Sequence, residues 1–355
     1  MRECYFGDYT IGSDAYENIL KICSPLGRNV LIVGGKTALA KAEGKLLPAL
    51  AEFRIADTVV YGDECTRKRV EELNAVYSGY EIDFIMGVGG GKAIDTAKCL
   101  ADRMGKSVVT VPTIASTCAA SSALAVTYTE EHIYDGFWNF KGPAYHVFID
   151  TEIIANAPDR YFRAGVGDTL AKYYEVEFSM RGEKTCFRDE LGRSVSEMSR
   201  QPLMRRAAKA YEDCKLHRVT EDLEETSLII LISTGMVSML INEVYNGALA
   251  HALFYGLTRI KGFEEKFLHG DVIGYTTTVQ LALDNNIEEA KRVRDFIKSL
   301  GIEASLKARG ICTDFEYLKP CLESAIKDPD MKVIPYEITP EMIHSAILEI
   351  ESMED

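Results

Sequence analysis

One carboxylate and two imidazoles stand far apart in this sequence, each beside small residues. They are Asp168 in Gly165-Val166-Gly167-Asp168, His251 in Ala250-His251-Ala252 and His269 in Leu268-His269-Gly270. Such a trio can hold a divalent cation and leave coordination positions open to a substrate, as a catalytic metal site requires. The separations are too long for a local motif, so a second reading stands beside the first. Asp168 can be the N-cap of a helix that opens there, and each histidine a buried imidazole satisfied by its neighbours. His132, His146, His217 and His344 have no comparable setting.

A second group of residues suits an anion. Gly87-Val88-Gly89-Gly90-Gly91-Lys92-Ala93-Ile94-Asp95 joins a predicted strand to a predicted helix. Glycines let backbone N–H groups approach a pyrophosphate closely, and a helix N-terminus adds partial positive charge. The pattern is neither a strict G-x-G-x-x-G, since Lys92 takes the last position, nor a Walker loop. A tight strand–helix turn explains the same glycines. Pro112-Thr113-Ile114-Ala115-Ser116-Thr117-Cys118-Ala119-Ala120-Ser121-Ser122 follows the next strand, where it can border a cofactor or form an ordinary Ser/Thr-rich loop.

These residues need elements to carry them. Val30–Val33, Thr58–Tyr61, Phe84–Val88 and Val108–Val111 are short apolar runs ending in glycine or proline, with helical segments such as Thr66–Tyr77 and Lys92–Arg103 between. This βαβα order predicts a mostly parallel sheet. After about Thr151 helical patterns dominate, at roughly Asp168–Met180, Gln201–Leu216, Leu223–Leu249, Glu288–Leu300 and Pro340–Glu351. The expected division, near Ala157-Pro158-Asp159, is an α/β domain over 1–157 and an all-α domain over 158–355. Two domains suit 355 residues.

The bulk composition narrows the function. With 47% hydrophobic and 26% charged residues the chain resembles an ordinary globular enzyme. A net charge of -14 without a Lys/Arg-rich run argues against nucleic-acid or anionic-membrane partners and leaves a small-molecule substrate. Nine cysteines without a C-x-x-C pair suggest reduced thiols in a cytoplasmic protein. No apolar signal-peptide core follows Met1-Arg2-Glu3-Cys4-Tyr5-Phe6. The longest near-apolar stretch, Leu228–Ile241, reads as a buried helix rather than a bilayer span.

Taken together, the motifs resemble glycerol dehydrogenase-like members of the iron-containing alcohol dehydrogenase family over nearly the whole chain. The anchors are Gly89-Gly90-Gly91-Lys92-Ala93-Ile94-Asp95-Thr96-Ala97-Lys98, Pro112-Thr113-Ile114-Ala115-Ser116-Thr117, Ala164-Gly165-Val166-Gly167-Asp168, Ala250-His251-Ala252 and His269-Gly270. The resemblance implies a dehydroquinate synthase-like fold, with a Rossmann-like N-terminal domain facing an α-helical one across a cleft. It implies that Asp168, His251 and His269 are metal ligands, for zinc in this branch and iron elsewhere, and that NAD or NADP is the cofactor. Cofactor contacts carry over to Gly91, Lys92, Asp95, Thr113, Ser116, Ser122, Leu124 and Tyr128, beside Gly89 and Gly90 of the loop.

The chain departs from the pattern in four places. Longer-chain iron enzymes carry a further His four residues after the Asp, where this chain has Lys172. Glycerol dehydrogenases place Asp at Cys118, and His and Asn at Phe254 and Tyr255. They often carry an acid where this chain has Gly34-Gly35-Lys36. Thr117-Cys118-Ala119-Ala120, Gly167-Asp168-Thr169-Leu170-Ala171-Lys172 and Glu265-Lys266-Phe267-Leu268-His269-Gly270 look most like the hydroxycarboxylate dehydrogenase A group, which reduces 2-oxo acids.

The expected activity is metal-dependent hydride transfer between NAD(P) and a small hydroxy compound, with Cys118 and Lys172 beside the substrate and a 2-hydroxy acid or a polyol as that substrate. Lys172 lies one helical turn from Asp168 and is read as a carboxylate-binding group, or else as an exposed lysine paired with an acid such as Glu175. A carbon–oxygen lyase of the dehydroquinate synthase type and a non-enzymatic sensor on the same fold are the competing readings. Asp168 argues against the first and intact ligand positions against the second. A homo-oligomer is compatible with all of this.

Overall fold

The computed structural model describes residues 6–353; the terminal segment Met1-Arg2-Glu3-Cys4-Tyr5 read above lies outside them. The strands are β1 (Asp8–Gly12), β2 (Asn29–Gly34), β3 (Arg54–Val60), β4 (Phe84–Gly89), β5 (Ser107–Pro112), β6 (Leu124–Tyr128), β7 (Tyr134–Asn139) and β8 (His146–Asp150). Helices α1 (Ile19–Cys23), α2 (Lys36–Ala49), α3 (Arg67–Tyr77), α4 (Gly91–Met104) and α5 (Thr151–Ala155) accompany them. The remainder is α6 (Asp159–Ser179), α7 (Phe187–Lys215), α8 (Glu221–Leu228), α9 (Thr234–Leu240), α10 (Leu249–Leu257), α11 (Phe263–Lys266), α12 (His269–Leu283), α13 (Ile287–Ser299), α14 (Phe315–Ile326) and α15 (Pro340–Ser352).

The chain forms two compact units. Among the described residues, one comprises 6–159 with Glu212–Met239, the other Arg160–Tyr211 with 240–353. In the first, six parallel strands run in the order β1-β8-β5-β4-β2-β3, and β6 and β7 form a separate antiparallel pair. Alternation along β2 explains the layers. Val30 and Ile32 pack with Leu46 of α2, Phe84, Met86 and Phe148. Leu31 and Val33 face the other way, against Leu73 and Tyr77 of α3 and Ala97 and Leu100 of α4. Helices therefore cover both faces of the sheet, as parallel strands buried on both sides require.

The sheet has a switch point. From β2 the chain steps outward to β3, then returns to β4 on the other side of β2. The carboxyl ends of β2 and β4 lie side by side at such a reversal, where open α/β sheets bind ligands.

Several local expectations change. Asp168 does not open a helix: α6 begins at Asp159 and carries Asp168 well inside it. Gly167 serves packing instead, since a Cβ there would come within 2.2 Å of the Gly270 carbonyl oxygen. The single helix expected over Leu223–Leu249 is broken. α8 passes through a π-helical turn at Ile229–Ser233 into α9, and the chain leaves the helix after Leu240. The Asn242 side chain caps the next turn through Val244 N–H, and Asp189 accepts the Asn242 N–H at 2.8 Å. Glu221–Leu240 is long and apolar enough to cross a membrane by length and composition, yet most of it is buried inside the protein. Strands β1, β6, β7 and β8 have no counterpart among the four apolar runs; β7, for instance, is Tyr134–Asn139 with alternating half-buried and exposed positions.

The second unit is built of helices. α12 is buried along its whole length after His269 and packs against α10, α13 and α15. Its buried hydroxyls are satisfied by carbonyl oxygens, Thr276 donating to Ala250 and Thr277 to Ile273.

Candidate active site

The metal-ligand candidates come from three helices of the second unit. Asp168 sits in α6, His251 in the first turn of α10, and His269 at the start of α12. Glycine brings α6 and α12 into backbone contact: a Cβ on Gly270 would lie 1.8 Å from the Ala164 carbonyl oxygen. That approach carries His269 to Asp168. Gln280 ties α12 to its neighbours, accepting the Ala250 N–H at 3.1 Å and donating to the Tyr174 carbonyl at 3.1 Å.

The result is a compact donor set. Asp168 Oδ1 lies 3.5 Å from His251 Nε2 and 3.4 Å from His269 Nε2. One donor atom from each residue lies within 4.8 Å of the others. Tetrahedral coordination at about 2.1 Å places donors about 3.4 Å apart, so oxygen and nitrogen donors here fit one divalent cation. The residues are buried except for His269, which is partly open. Burial works against charge on Asp168, but hydrogen bonding to the two imidazoles wins and holds its carboxyl well below the ordinary range. His251 goes the other way: burial disfavours its cation, yet the Glu175 and Asp168 carboxylates push it up to about 10.

Glu175 completes the arrangement, and the sequence reading assigned it elsewhere. It is fully buried, and its Oε2 meets His251 Nδ1 at 2.7 Å. Its Oε1 accepts the backbone N–H groups of Ala248 and His251 at 3.0 and 2.9 Å. It stands seven residues after Asp168, two helical turns along the same face, which is the signal that could have found it. Lys172 donates to the Asn246 carbonyl oxygen rather than pairing with Glu175. Phe254 packs edge-on to the His269 ring at 4.4 Å between centroids.

The glycine loop lies at the switch point of the sheet. Gly89 ends β4 with φ 148°, Gly90 is the N-cap of α4, and Gly91 begins that helix. Gly35 N–H donates to the Val88 carbonyl at 3.2 Å, and a Cβ on Gly34 would meet that oxygen at 2.7 Å, so the two strand ends nearly touch. Thr113 N–H donates to the Gly89 carbonyl at 3.0 Å. The first N–H groups of α4 have no intrahelical acceptor and are available to an anion.

The remaining expected contacts fall around this loop. Lys92 Nζ is 2.5 Å from Glu64 Oε2 and 5.2 Å from the centre of the Tyr128 ring. Asp95 is buried; it pairs with Lys98 at 2.9 Å and accepts the Val126 N–H. Lys98, itself buried, also donates to the carbonyls of Ala119 and Leu124 and approaches Ser122 Oγ at 3.3 Å. One ammonium thus gathers the segment carrying Cys118, Ser122 and Leu124, a role the sequence did not disclose. Cys118 begins a short 3-10 turn capped by Thr117, and Ser116 precedes it, half-buried. Ser121 Oγ donates to the Leu231 carbonyl within the π-turn. Cys118 and the glycine loop belong to the first unit, Lys172 and the metal-ligand candidates to the second.

A doubly covered parallel sheet with a glycine turn at its switch point, joined in one chain to a helical unit carrying an Asp-His-His donor set, is the arrangement expected of a dehydrogenase with a metal site. A family model described as iron-containing alcohol dehydrogenase matches residues 7–151. The chain is 32% identical over 330 residues to hydroxycarboxylate dehydrogenase A of Escherichia coli strain K12, covering 92% of this chain and 90% of that one. It is 29% identical over 350 residues to a glycerol dehydrogenase of Escherichia coli O6:H1, with 96% and 94% coverage. The solved structure of glycerol dehydrogenase from Schizosaccharomyces pombe superposes with a TM-score of 0.90 at 24% identity, covering 99% of this chain and 91% of that one. The chain belongs to the iron-containing alcohol dehydrogenase family and is an oxidoreductase acting on alcohol groups. The lyase reading is not favoured.

Proposed function

We propose that this enzyme interconverts a small 2-hydroxy acid and its 2-oxo acid, using NAD or NADP and one divalent cation held by Asp168, His251 and His269. The observation that carries the reading is the Asp-His-His donor set, with its separations of 3.4 and 3.5 Å. Zinc suits this set better than iron, because Lys172 stands where a fourth imidazole would be needed. The cation supplies Lewis-acid polarisation of a substrate oxygen. The backbone N–H groups at Gly90, Gly91 and Lys92 receive the cofactor pyrophosphate, and Thr113, Ser116, Ser122, Leu124 and Tyr128 border the cofactor, with Gly89 shaping the turn and Asp95 supporting the site from beneath through Lys98 and Val126.

The acid substrate rests on two residues. An ammonium has three N–H donors, and the Asn246 carbonyl takes one from Lys172, which leaves donors for a carboxylate. Cys118 replaces the Asp of the glycerol dehydrogenases that the chain resembles, removing a negative charge that would oppose an anion. Glycerol oxidation is the second reading, favoured by the likeness to glycerol dehydrogenases.

The test is a reduction screen of 2-oxo acids, dihydroxyacetone and simple aldehydes with NADH and NADPH, on zinc-loaded wild type and on His251→Ala. We expect the highest kcat/KM for a 2-oxo acid. His251→Ala should keep its far-UV spectrum and lose bound metal and at least about a hundredfold in activity, on the order of 2.7 kcal/mol. Full activity in metal-free His251→Ala would sink the proposal, and a clear preference for dihydroxyacetone would move it to the second reading.

A further inference from the structure

We propose that Glu175 is the positioning residue of the metal site, holding His251 in the tautomer that offers Nε2, the nitrogen facing Asp168, to the cation. The inference rests on the reading of Asp168, His251 and His269 as ligands and goes beyond it to a residue outside the donor set.

The carboxylate is divided between two tasks. Its Oε2 is 2.7 Å from His251 Nδ1. An ionised carboxylate only accepts hydrogen bonds, so Nδ1 keeps its proton, and it is the Nε2 proton that a cation displaces on binding, leaving that nitrogen's lone pair for the metal. Nε2 is the atom turned towards Asp168 Oδ1. Oε1 meanwhile accepts the N–H groups of Ala248 and His251, which lie at the start of α10 and lack intrahelical partners. The same buried group therefore caps the helix that bears the ligand and orients the ligand's ring.

A glutamine cannot do both. With its carbonyl on the two backbone donors, its NH2 faces Nδ1 and calls for the opposite tautomer, with the proton on Nε2. Turned over, it satisfies Nδ1–H but sets its NH2 against two backbone N–H groups. Glu175→Gln preserves volume while breaking one task or the other. The neighbouring anchor isolates the capping role. Gln280 also supports α10, by accepting the Ala250 N–H, yet does not reach the imidazole. Gln280→Leu perturbs α10 without touching the tautomer.

Zn2+ binding is measured by chelator competition on wild type, Glu175→Gln, Gln280→Leu and His251→Ala, with thermal unfolding of each metal-free protein. Expected is a Zn2+ affinity lowered about tenfold to a hundredfold in Glu175→Gln, with Gln280→Leu less stable but within about threefold of wild type in affinity. Equal affinity in wild type and Glu175→Gln, or equal losses in Glu175→Gln and Gln280→Leu, overturns the proposal while the metal reading stands. Failure of wild type to bind Zn2+, or unchanged binding in His251→Ala, refutes the metal reading itself. Should Glu175→Gln not fold, nitrogen NMR of the zinc-loaded wild type decides: a proton on His251 Nδ1 and zinc on Nε2 are expected, and the reverse assignment overturns the proposal.

Discussion

At the scale of single residues, the most telling substitution concerns Lys172. It shares a helix face with Asp168 and one of its donors is taken by the Asn246 carbonyl. A carboxylate about 5 Å away at an effective dielectric of about 20 would gain roughly 3 kcal/mol before desolvation. Lys172→Met should therefore lower kcat/KM for a 2-oxo acid by about tenfold to a hundredfold, on the order of 1.4–2.7 kcal/mol, and leave a neutral ketone nearly untouched. Steady-state kinetics on the two substrates check this. Equal losses on both would reduce Lys172 to a tether for the turn before α10. Asp168, His251 and His269 were legible as ligand candidates through the family resemblance, since their separations are too long for a local motif. Glu175 was not, because a glutamate in a helix is ordinarily a solvated one, and only burial reveals that it must have a partner.

At the scale of elements, two close approaches carry the sites. The crossing of α6 and α12 rests on Gly167 and Gly270, where an added Cβ would meet backbone oxygen at 2.2 and 1.8 Å. Backbone cannot yield as a side chain tip can, so Gly270→Ala should cost at least about 3 kcal/mol, the upper part of the range for overpacking. Urea unfolding of the metal-free variant measures it, and a cost below about 1 kcal/mol would show that the helices separate freely. The other approach joins the ends of β2 and β4. There α2 starts at Lys36 after the Gly35 N-cap, with no acid in its first turn. An acid at that place would bond the ribose hydroxyls and repel a 2′-phosphate. The enzyme should accept both cofactors, with a preference for NADH below about a hundredfold, or about 2.7 kcal/mol. A larger ratio of kcat/KM values contradicts the argument.

At the scale of the whole molecule, the two sets of site residues belong to different units. The glycine loop and its neighbours lie in one, all three ligand candidates in the other. Cofactor binding should then survive removal of the metal. The single tryptophan, Trp138, reports on the cofactor unit: it sits in β7 opposite Ala125 of β6 and donates to Asp102 at 2.9 Å. Titrating NADH into metal-stripped protein should change Trp138 fluorescence with a Kd within about threefold of the zinc-loaded value, a coupling under about 0.7 kcal/mol. Loss of NADH binding on chelation would show that the units do not bind independently.

Read without a structure, the chain already disclosed a parallel α/β portion, a helical remainder, a glycine loop and an Asp-His-His set. Periodicity and residue type encode the first three locally, as in β4, a short apolar run ending in glycines, whereas the Asp-His-His set, too widely spaced for a local motif, came from the family resemblance. What the tertiary structure alone decided were relations between distant segments. Asp168 proved to lie inside a helix because Gly167 answers to Gly270 across a helix crossing, not to a helix start. Lys98 gathers carbonyls from Ala119 to Leu124, and Glu175 reaches Ala248 and His251. A buried charge must find acceptors or donors somewhere, but the chain's own order does not say where; only packing brings those partners together.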